Sequence, residues 1–182
     1  MKIFTKVLPL ILLILCCAGC VLTPRRHHQT IFYDLQSPQA LKCRQQLMVA
    51  TVDNNSPAQS RMLFRLDGNR MVQDSNNCWV QTPERMMQRY LEQSFALPGN
   101  TDFSRLATLR CTITAFEFDM VRSEAILSIK YTMRCDHHRS ASSVTIKEKF
   151  SSHTPDALAL AMSRAAAKAA EEISRTADKF AH

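Results

Sequence analysis

Glycine is nearly absent from this chain, with three glycines in 182 residues. Enzymes that bind nucleotide phosphates use loops in which several closely spaced glycines bring backbone N–H groups against the ligand. Here Gly68 and Gly99 are isolated and have the spacing of turn residues. The sequence therefore excludes the glycine-rich classes of phosphate-binding enzyme.

Other catalytic and binding signatures are also missing. There is no Ser-x-Gly nucleophile elbow, and no Cys-x-x-Cys motif follows Cys20. Lysine and arginine give a formal net charge of +7, but they are scattered rather than gathered in the blocks that contact nucleic acid. We expect no catalytic residues, no cofactor, no metal and no nucleic-acid partner.

The first nineteen residues have the layout of a secretory signal peptide. Lys2 and Lys6 form a positive region, residues 7–15 are almost wholly apolar, and the small residues Ala18 and Gly19 precede Cys20. A membrane-spanning helix needs about 20 apolar residues, so the run is too short to be one. We predict that residues 1–19 are cleaved, which leaves 21 basic residues against 16 acidic ones.

The sequence around Cys20 resembles the bacterial lipobox, although Cys17 stands where that motif usually has leucine. In lipobox proteins the cysteine is acylated, typically with palmitate, and becomes the mature N-terminus. Val21 follows it instead of the aspartate that retains lipoproteins in the inner membrane. The resemblance implies an outer-membrane lipoprotein facing the periplasm, with residues 20–30 as lipidated N-terminus and tether. Ten residues, 21–30, span at most about 35 Å.

Apolar periodicity predicts the elements of a single domain over residues 31–182. Strand candidates lie at 31–35, 46–52 and 61–66, and the second is apolar on both faces, as in the centre of a sheet. Asp67-Gly68-Asn69 is typical of a hairpin turn into a strand at 70–73. Residues 109–115, 125–135 and 144–150 alternate apolar and polar side chains, which predicts an antiparallel meander with one face toward the core.

Two helices share one start signal. Thr82-Pro83-Glu84 and Thr154-Pro155-Asp156 each place threonine at the N-cap, proline at the first helical position and an acid in the first turn. The first helix is expected to end at Pro98-Gly99 and the second to reach the C-terminus. Together these elements predict an α+β fold, an α/β sandwich. In it, a mixed, mostly antiparallel sheet of about five to six strands has two helices on one face.

Four cysteines follow Cys20, and an even number in an oxidising compartment suggests two disulfides. If the first meander hairpin folds about residues 122–124, opposite residues sum to 246 and Cys111 faces Cys135 on the apolar face. We therefore predict a disulfide Cys111–Cys135, with Cys43–Cys78 by elimination. Buried free thiols are the alternative.

The histidine pairs are the remaining candidates for chemistry. Asp136-His137-His138 lies between two predicted strands, in a predicted loop rich in Arg139, Ser140, Ser142 and Ser143. Adjacent histidines in an extended segment point to opposite sides, so a solvated loop tip is favoured over a metal or hydrolytic site. His27 and His28 fall in the tether, with no cysteine or carboxylate nearby.

The order of motifs along the mature chain resembles one family, the auxiliary lipoproteins of ATP-binding-cassette (ABC) transport systems, which includes the PqiC-like intermembrane transport lipoproteins. The resemblance spans essentially the whole mature chain. It is carried by Cys20, Tyr33-x-Leu35, the strand with Val49 and Val52, the run from Arg61 through Trp79 to Pro83, Tyr90-Leu91, the strand ending at Phe116, the Ala125–Met133 strand and the alanine-rich C-terminal helix.

This resemblance implies a non-enzymatic role in an ABC/MCE-type lipid transport system. Such a lipoprotein docks a periplasmic MCE-domain protein at the outer membrane and supports phospholipid movement and envelope integrity. The resemblance also implies a domain similar to the N-terminal domain of TolB and a ring-shaped homo-oligomer. The four mature cysteines and His27-His28 depart from the family pattern.

Two other function classes stay open at this point. One is an outer-membrane assembly or lipopolysaccharide-export accessory lipoprotein, which would contact barrel proteins instead of transporter subunits. The other is a periplasmic hydrolase or metal-binding protein that uses His137 and His138.

Overall fold

The computed structural model describes residues 29–67, 69–97, 99, 101, 106–135 and 138–180. These residues form an open mixed sheet of seven strands and two helices, which confirms the predicted α+β class. The strands are β1 (Ile31–Tyr33), β2 (Leu47–Asn54), β3 (Arg61–Arg65), β4 (Met71–Trp79), β5 (Ala107–Asp119), β6 (Glu124–Cys135) and β7 (His138–Lys149). The helices are α1 (Pro83–Ser94) and α2 (Pro155–Phe180).

The long strand β5 organises the sheet. The strand order is β1-β4-β3-β5-β6-β7, and β2 pairs with β5 outside this path. One edge of β5 takes β6 along its length, while the other takes β2 near Ala107 and β3 near Asp119, both parallel. The prediction that residues 46–52 form a central strand is therefore wrong, because among the described strands β2 pairs with β5 alone. The predicted β3–β4 hairpin and β5–β6–β7 meander are confirmed.

Both helices begin at the predicted Thr-Pro signals. Thr82 is the N-cap of α1 and its carbonyl accepts the N–H of Met86, but its hydroxyl bonds the Glu84 carboxylate and caps no backbone N–H. Helix α1 ends at Ser94, with Phe95 as its C-cap, several residues before Gly99. Neither described helix has the length and hydropathy needed to cross a membrane.

The helices cover one face of the sheet, and the hydrophobic core lies between the helices and that face. Helix α2 contacts β6 and β7, whereas α1 contacts β2 and β5. The predicted alanine stripe of α2 is fully buried at Ala161, Ala165 and Ala169, so the helix axis lies close to the strands. Trp79 is 1% exposed and contacts the rings of Phe116 and Phe118, as a core residue does.

A tight turn fixes the register of β5 against β6. Asp119 lies opposite Glu124, and its Oδ1 accepts the N–H groups of Val121 at 3.0 Å and Arg122 at 2.8 Å. Ser123 completes the turn with a φ of 54°, a left-handed conformation. A β-bulge between Ile113 and Ala115 then shifts the pairing again. The register therefore differs from the one expected for a turn about residues 122–124.

This register corrects the predicted cysteine pairing. Cys111 lies opposite Tyr131, and Cys135 is four residues further along β6, about 13 Å away. A disulfide requires Cα atoms about 4.4–6.8 Å apart, so the Cys111–Cys135 prediction is wrong. All four described cysteines are free thiols, and the pairing Cys43–Cys78, which followed only by elimination, loses its basis. The Cys43 Sγ lies 2.9 Å from Ser174 Oγ of α2.

Candidate functional site

The face of the sheet opposite the helices carries the polar residues of β2, β5, β6 and β7. Because side chains alternate along each strand, the buried residues of these strands point to the helices and their neighbours to the other side. We call this side the open face. Its members include Met48, Thr51, Asp53, Thr108, Arg110, Thr112, Ser128, Lys130, Thr132, Arg134, Arg139, Ala141, Ser143, Thr145 and Lys147, and beyond the β-bulge of β5 the same side carries Ala115, Glu117, Asp119, Glu124 and Ile126.

Three arginines meet at one end of the open face. Arg110 of β5, Arg134 of β6 and Arg139 of β7 are exposed and line a cleft of about 910 Å³. The other lining residues are Leu106, Thr108, Thr132 and His138. We call the cleft and these seven residues the basic trough.

The strand register makes the three arginines cross-strand neighbours. Arg134 lies directly opposite Arg139 on one side and Thr108 on the other, while Arg110 lies opposite Thr132. Directly opposite residues have Cβ atoms about 4.5–5.5 Å apart, and diagonal neighbours such as Arg110 and Arg134 are about 7–8 Å apart. Like charges at these separations repel, so the trough costs folding stability in the absence of a counter-charge.

The trough arginines have no ion-pair partner among the described residues. Several arginines elsewhere in the domain are paired, for example Arg65 with Glu117, Arg89 with Asp34 and Arg122 with Asp119. No carboxylate lines the described part of the trough. The trough is thus a concentration of uncompensated positive charge in a chain whose basic residues are otherwise scattered.

A second, shallower cleft of about 690 Å³ continues the trough along the open face. Arg110 and Thr132 border both clefts, and Lys130 adds a further positive charge. Asp53 of β2 lies here and is the described acid on this part of the sheet. Hydroxyl groups of Thr51, Thr112 and Ser143 lie beside these charges.

The structure changes the interpretation of the predicted histidine loop. His138, Arg139 and Ser140 belong to strand β7 instead of a loop, and His138 is an exposed member of the trough. Asp136 and His137 lie outside the described residues, as do His27 and His28. No group of three potential metal ligands occurs in the described parts of the chain.

Buried carboxylates elsewhere have structural partners. Burial acts to raise the pKa of Asp119, but hydrogen bonds from the backbone and guanidinium of Arg122 outweigh it, so the pKa is lowered. Glu148 of β7, 8% exposed, is paired with Arg164 at 3.3 Å and with Lys168. These pairs secure the β5–β6 turn and attach α2 to the sheet.

The site residues predicted from the sequence separate into two groups. Cys20, the predicted lipidation site, and the whole signal and tether through residue 28 lie outside the described residues. Cys43 lies in the loop before β2, whereas Cys78, Cys111 and Cys135 lie in β4, β5 and β6, and the four form no common site. The sequence reading did not identify the trough, because Arg110, Arg134 and Arg139 meet only through strand register. The one available signal was that each occupies a polar position in an alternating pattern.

Comparison with known proteins identifies relatives of this fold. The profile of a family described as ABC-type transport auxiliary lipoprotein component matches residues 36–174. A crystal structure of an uncharacterised protein superposes with a TM-score of 0.68 at 15% identity, over 81% of this chain and 98% of that chain. A Xanthomonas campestris protein of the DUF330 family superposes with a TM-score of 0.63 at 16% identity, over 82% and 95% of the two chains.

At such identities these likenesses concern the fold alone. No significant match occurs among curated proteins. The family match itself runs from the loop before β2 into α2, and so includes the open face and the helices that cover the other face. The chain therefore belongs to the family of ABC-type transport auxiliary lipoprotein components.

Proposed function

We propose that this chain is a non-enzymatic outer-membrane lipoprotein of an ABC/MCE-type phospholipid transport system. It is anchored through acylated Cys20 and docks the periplasmic MCE-domain component at that membrane, supporting envelope integrity. The family match over residues 36–174 carries the proposal. The signal-like segment ending in Gly19-Cys20 supports the anchor, and Val21 supports the outer membrane.

Anchoring through several acyl chains suits a protein that presents a fixed surface. One acyl chain gives only marginal membrane binding, whereas two or more give stable attachment. We expect Cys20→Ser to abolish metabolic labelling with palmitate and to leave the chain unprocessed. The matched variant Cys43→Ser, which removes a thiol of the folded domain, should retain full labelling. Labelling that survives Cys20→Ser would contradict the anchor.

The residue after Cys20 offers a test of destination. On density gradients of separated membranes, the wild-type protein should be found with the outer membrane. Val21→Asp should move it to the inner membrane, whereas Val21→Ser should not. Wild-type protein in the inner membrane would refute this part of the proposal.

The partner is tested by cross-linking in intact cells, followed by purification of the tagged full chain from detergent extract. We expect MCE-domain, permease and ATPase subunits to be recovered with the wild-type chain and lost with Cys20→Ser, which is not anchored. Recovery of outer-membrane barrel or lipopolysaccharide-export proteins in their place would favour the assembly-factor class. The same preparation gives the oligomeric state, for which a ring-shaped homo-oligomer is the expectation.

A further inference from the structure

We propose that the basic trough binds the phosphate groups of anionic phospholipids at the membrane surface to which the chain is anchored. The inference rests on the proposed function for the anchor at Cys20, and it adds a ligand site that the family match does not assign. Its residues are Arg110, Arg134 and Arg139, assisted by the hydroxyl groups of Thr108 and Thr132.

Charge is the first argument for an anionic ligand. Arg134 and Arg139 are directly opposite each other with no ion-pair partner among the described residues, although this domain pairs Arg65, Arg89 and Arg122 with carboxylates. An anion between the guanidinium groups would replace their mutual repulsion by attraction. A ligand with a concentrated negative charge therefore fits this end of the sheet.

The kind of side chain is the second argument. The planar guanidinium group donates two parallel hydrogen bonds, which match two oxygens of a phosphate. Threonine hydroxyls beside the arginines supply further neutral donors to the same oxygens. The cleft of about 910 Å³ is large enough for more than a single inorganic ion. A phosphodiester with its attached headgroup matches both the donors and the space.

The shortage of apolar side chains favours a lipid headgroup over a folded protein. Protein interfaces are built around aromatic and aliphatic anchors in a core depleted of charge. The trough has no aromatic residue and a single aliphatic one, the half-buried Leu106. Of the exposed large hydrophobic residues, Ile31, Phe32, Val72, Val80, Val121 and Leu160 are not trough residues, and Met48 lies opposite Thr108 at the border of the trough without lining it.

The position of the anchor brings the trough within reach of the membrane. The tether ends at β1, which is three strands from β5 and five from β7, or about 14–24 Å across the sheet. Through its pairing with β4, β1 is level with Phe116 of β5, so the trough at Arg110 is also about 20 Å away along the strands. A tether of ten residues extends up to about 35 Å, so it can span this offset. Anchoring also makes each headgroup contact intramolecular, so individually weak contacts suffice. Each arginine near an anionic surface contributes roughly fivefold in binding, which gives about 100-fold for all three.

The experiment uses the full chain, processed and lipidated, in neutral detergent micelles that carry either phosphatidylglycerol or phosphatidylcholine. The Tm is measured against the mole fraction of added lipid, because a ligand of the folded state raises the Tm. The test variant is Arg110→Gln/Arg134→Gln/Arg139→Gln. The control variant Lys42→Gln/Arg85→Gln/Lys179→Gln removes the same charge at exposed positions outside the trough. If the triple trough variant fails to fold, Arg134→Gln alone replaces it, with an expected weakening of about fivefold.

We expect phosphatidylglycerol, but not phosphatidylcholine, to raise the Tm of the wild type and of the control variant. The trough variant should need roughly 100-fold more of the lipid for the same rise. An equal rise in the trough variant and in the control would overturn the proposal. So would a rise produced equally by inorganic phosphate at the same phosphate concentration, which would assign a free anion in place of a lipid.

A folded protein as the ligand of the trough would give a different outcome. If phosphatidylglycerol has no effect and the trough variant alone loses its cross-linked transporter subunits, the trough is a protein-docking site and the lipid proposal is wrong. Palmitate labelling and subunit recovery test the proposed function separately. A trough that ignores lipid while Cys20 is still acylated therefore refutes only the headgroup site.

Discussion

The two faces of the sheet are built from the same strands and differ in almost every physical property. Ile129 and Lys130 are neighbours on β6, yet Ile129 is fully buried under α2 and Lys130 is exposed on the open face. On the covered face, Tyr131 is buried and reaches Thr176 of α2 with a hydrogen bond of 2.9 Å. On the open face, Arg134 has no such partner among the described residues. The covered face is specified by packing, whereas the open face is available to a ligand.

The largest expected effect comes from truncating a covered-face residue. Ile129→Ala should lower the free energy of unfolding by about 2–5 kcal/mol, because it removes apolar contacts and leaves a cavity. Lys130→Ala, at the next position of the same strand, should change it by no more than about 0.5 kcal/mol. Urea unfolding followed by circular dichroism measures both. Equal losses would show that the open face is also packed against something.

The alanine stripe of α2 predicts a smaller loss from added volume. Ala165 is fully buried against the sheet, so Ala165→Leu should destabilise the domain by about 1–3 kcal/mol through overpacking. Ala167, half-buried on the same helix, is the matched control, and Ala167→Leu should cost much less. Thermal unfolding of the two variants gives the comparison. A neutral Ala165→Leu would mean that the helix can move away from the strands.

The sequence was sufficient where pairing is between neighbours in the chain. The hairpin β3–β4, the meander β5–β6–β7 and both helix starts were predicted from alternation, turn residues and Thr-Pro signals. The parallel pairing of β2 and β3 along one edge of β5 was not predicted, because pairing between distant parts of the chain has no local sequence signature.

The register of β5 against β6 could not be predicted from the sequence either, and it determines which residues meet in the candidate site. The carboxylate of Asp119 and the left-handed Ser123 set the β5–β6 turn, and the bulge after Ile113 shifts it again. Neither feature is visible in an apolar–polar alternation. Because the register was not predicted, the Cys111–Cys135 pair was predicted wrongly. For the same reason the cluster of Arg110, Arg134 and Arg139 was not predicted.

Alkaline pH should lower the free energy of unfolding, because it ionises Cys111, a thiol buried on the covered face. Burial raises the pKa of this thiol from 9.0 to about 12. Between these values the unfolded chain releases the proton and the folded chain keeps it, so stability falls as pH rises above about 9. At pH 10 the loss due to this group is about 1 kcal/mol, an order-of-magnitude figure. Cys111→Ala should show a shallower decline from pH 8 to pH 10 in urea unfolding, and parallel pH profiles would contradict the burial of Cys111.

The smallest predicted effect has the opposite sign and belongs to the open face. Arg134→Thr removes the like-charge pair with Arg139 and places a β-branched residue in the strand, so it should stabilise the domain by about 0.2–1 kcal/mol. The gain from charge should shrink between about 0.01 M and about 1 M salt, because repulsion at an exposed site is screened. Lys147→Thr is the matched control, since Lys147 lies opposite the uncharged Ile126 and should show little salt-dependent gain. If Arg134→Thr destabilises the lipid-free protein at both salt concentrations, the trough arginines serve folding. If Arg134→Thr stabilises the protein only at low salt, the trough arginines lower folding stability through their mutual repulsion. That is expected for residues whose charge is neutralised by a ligand.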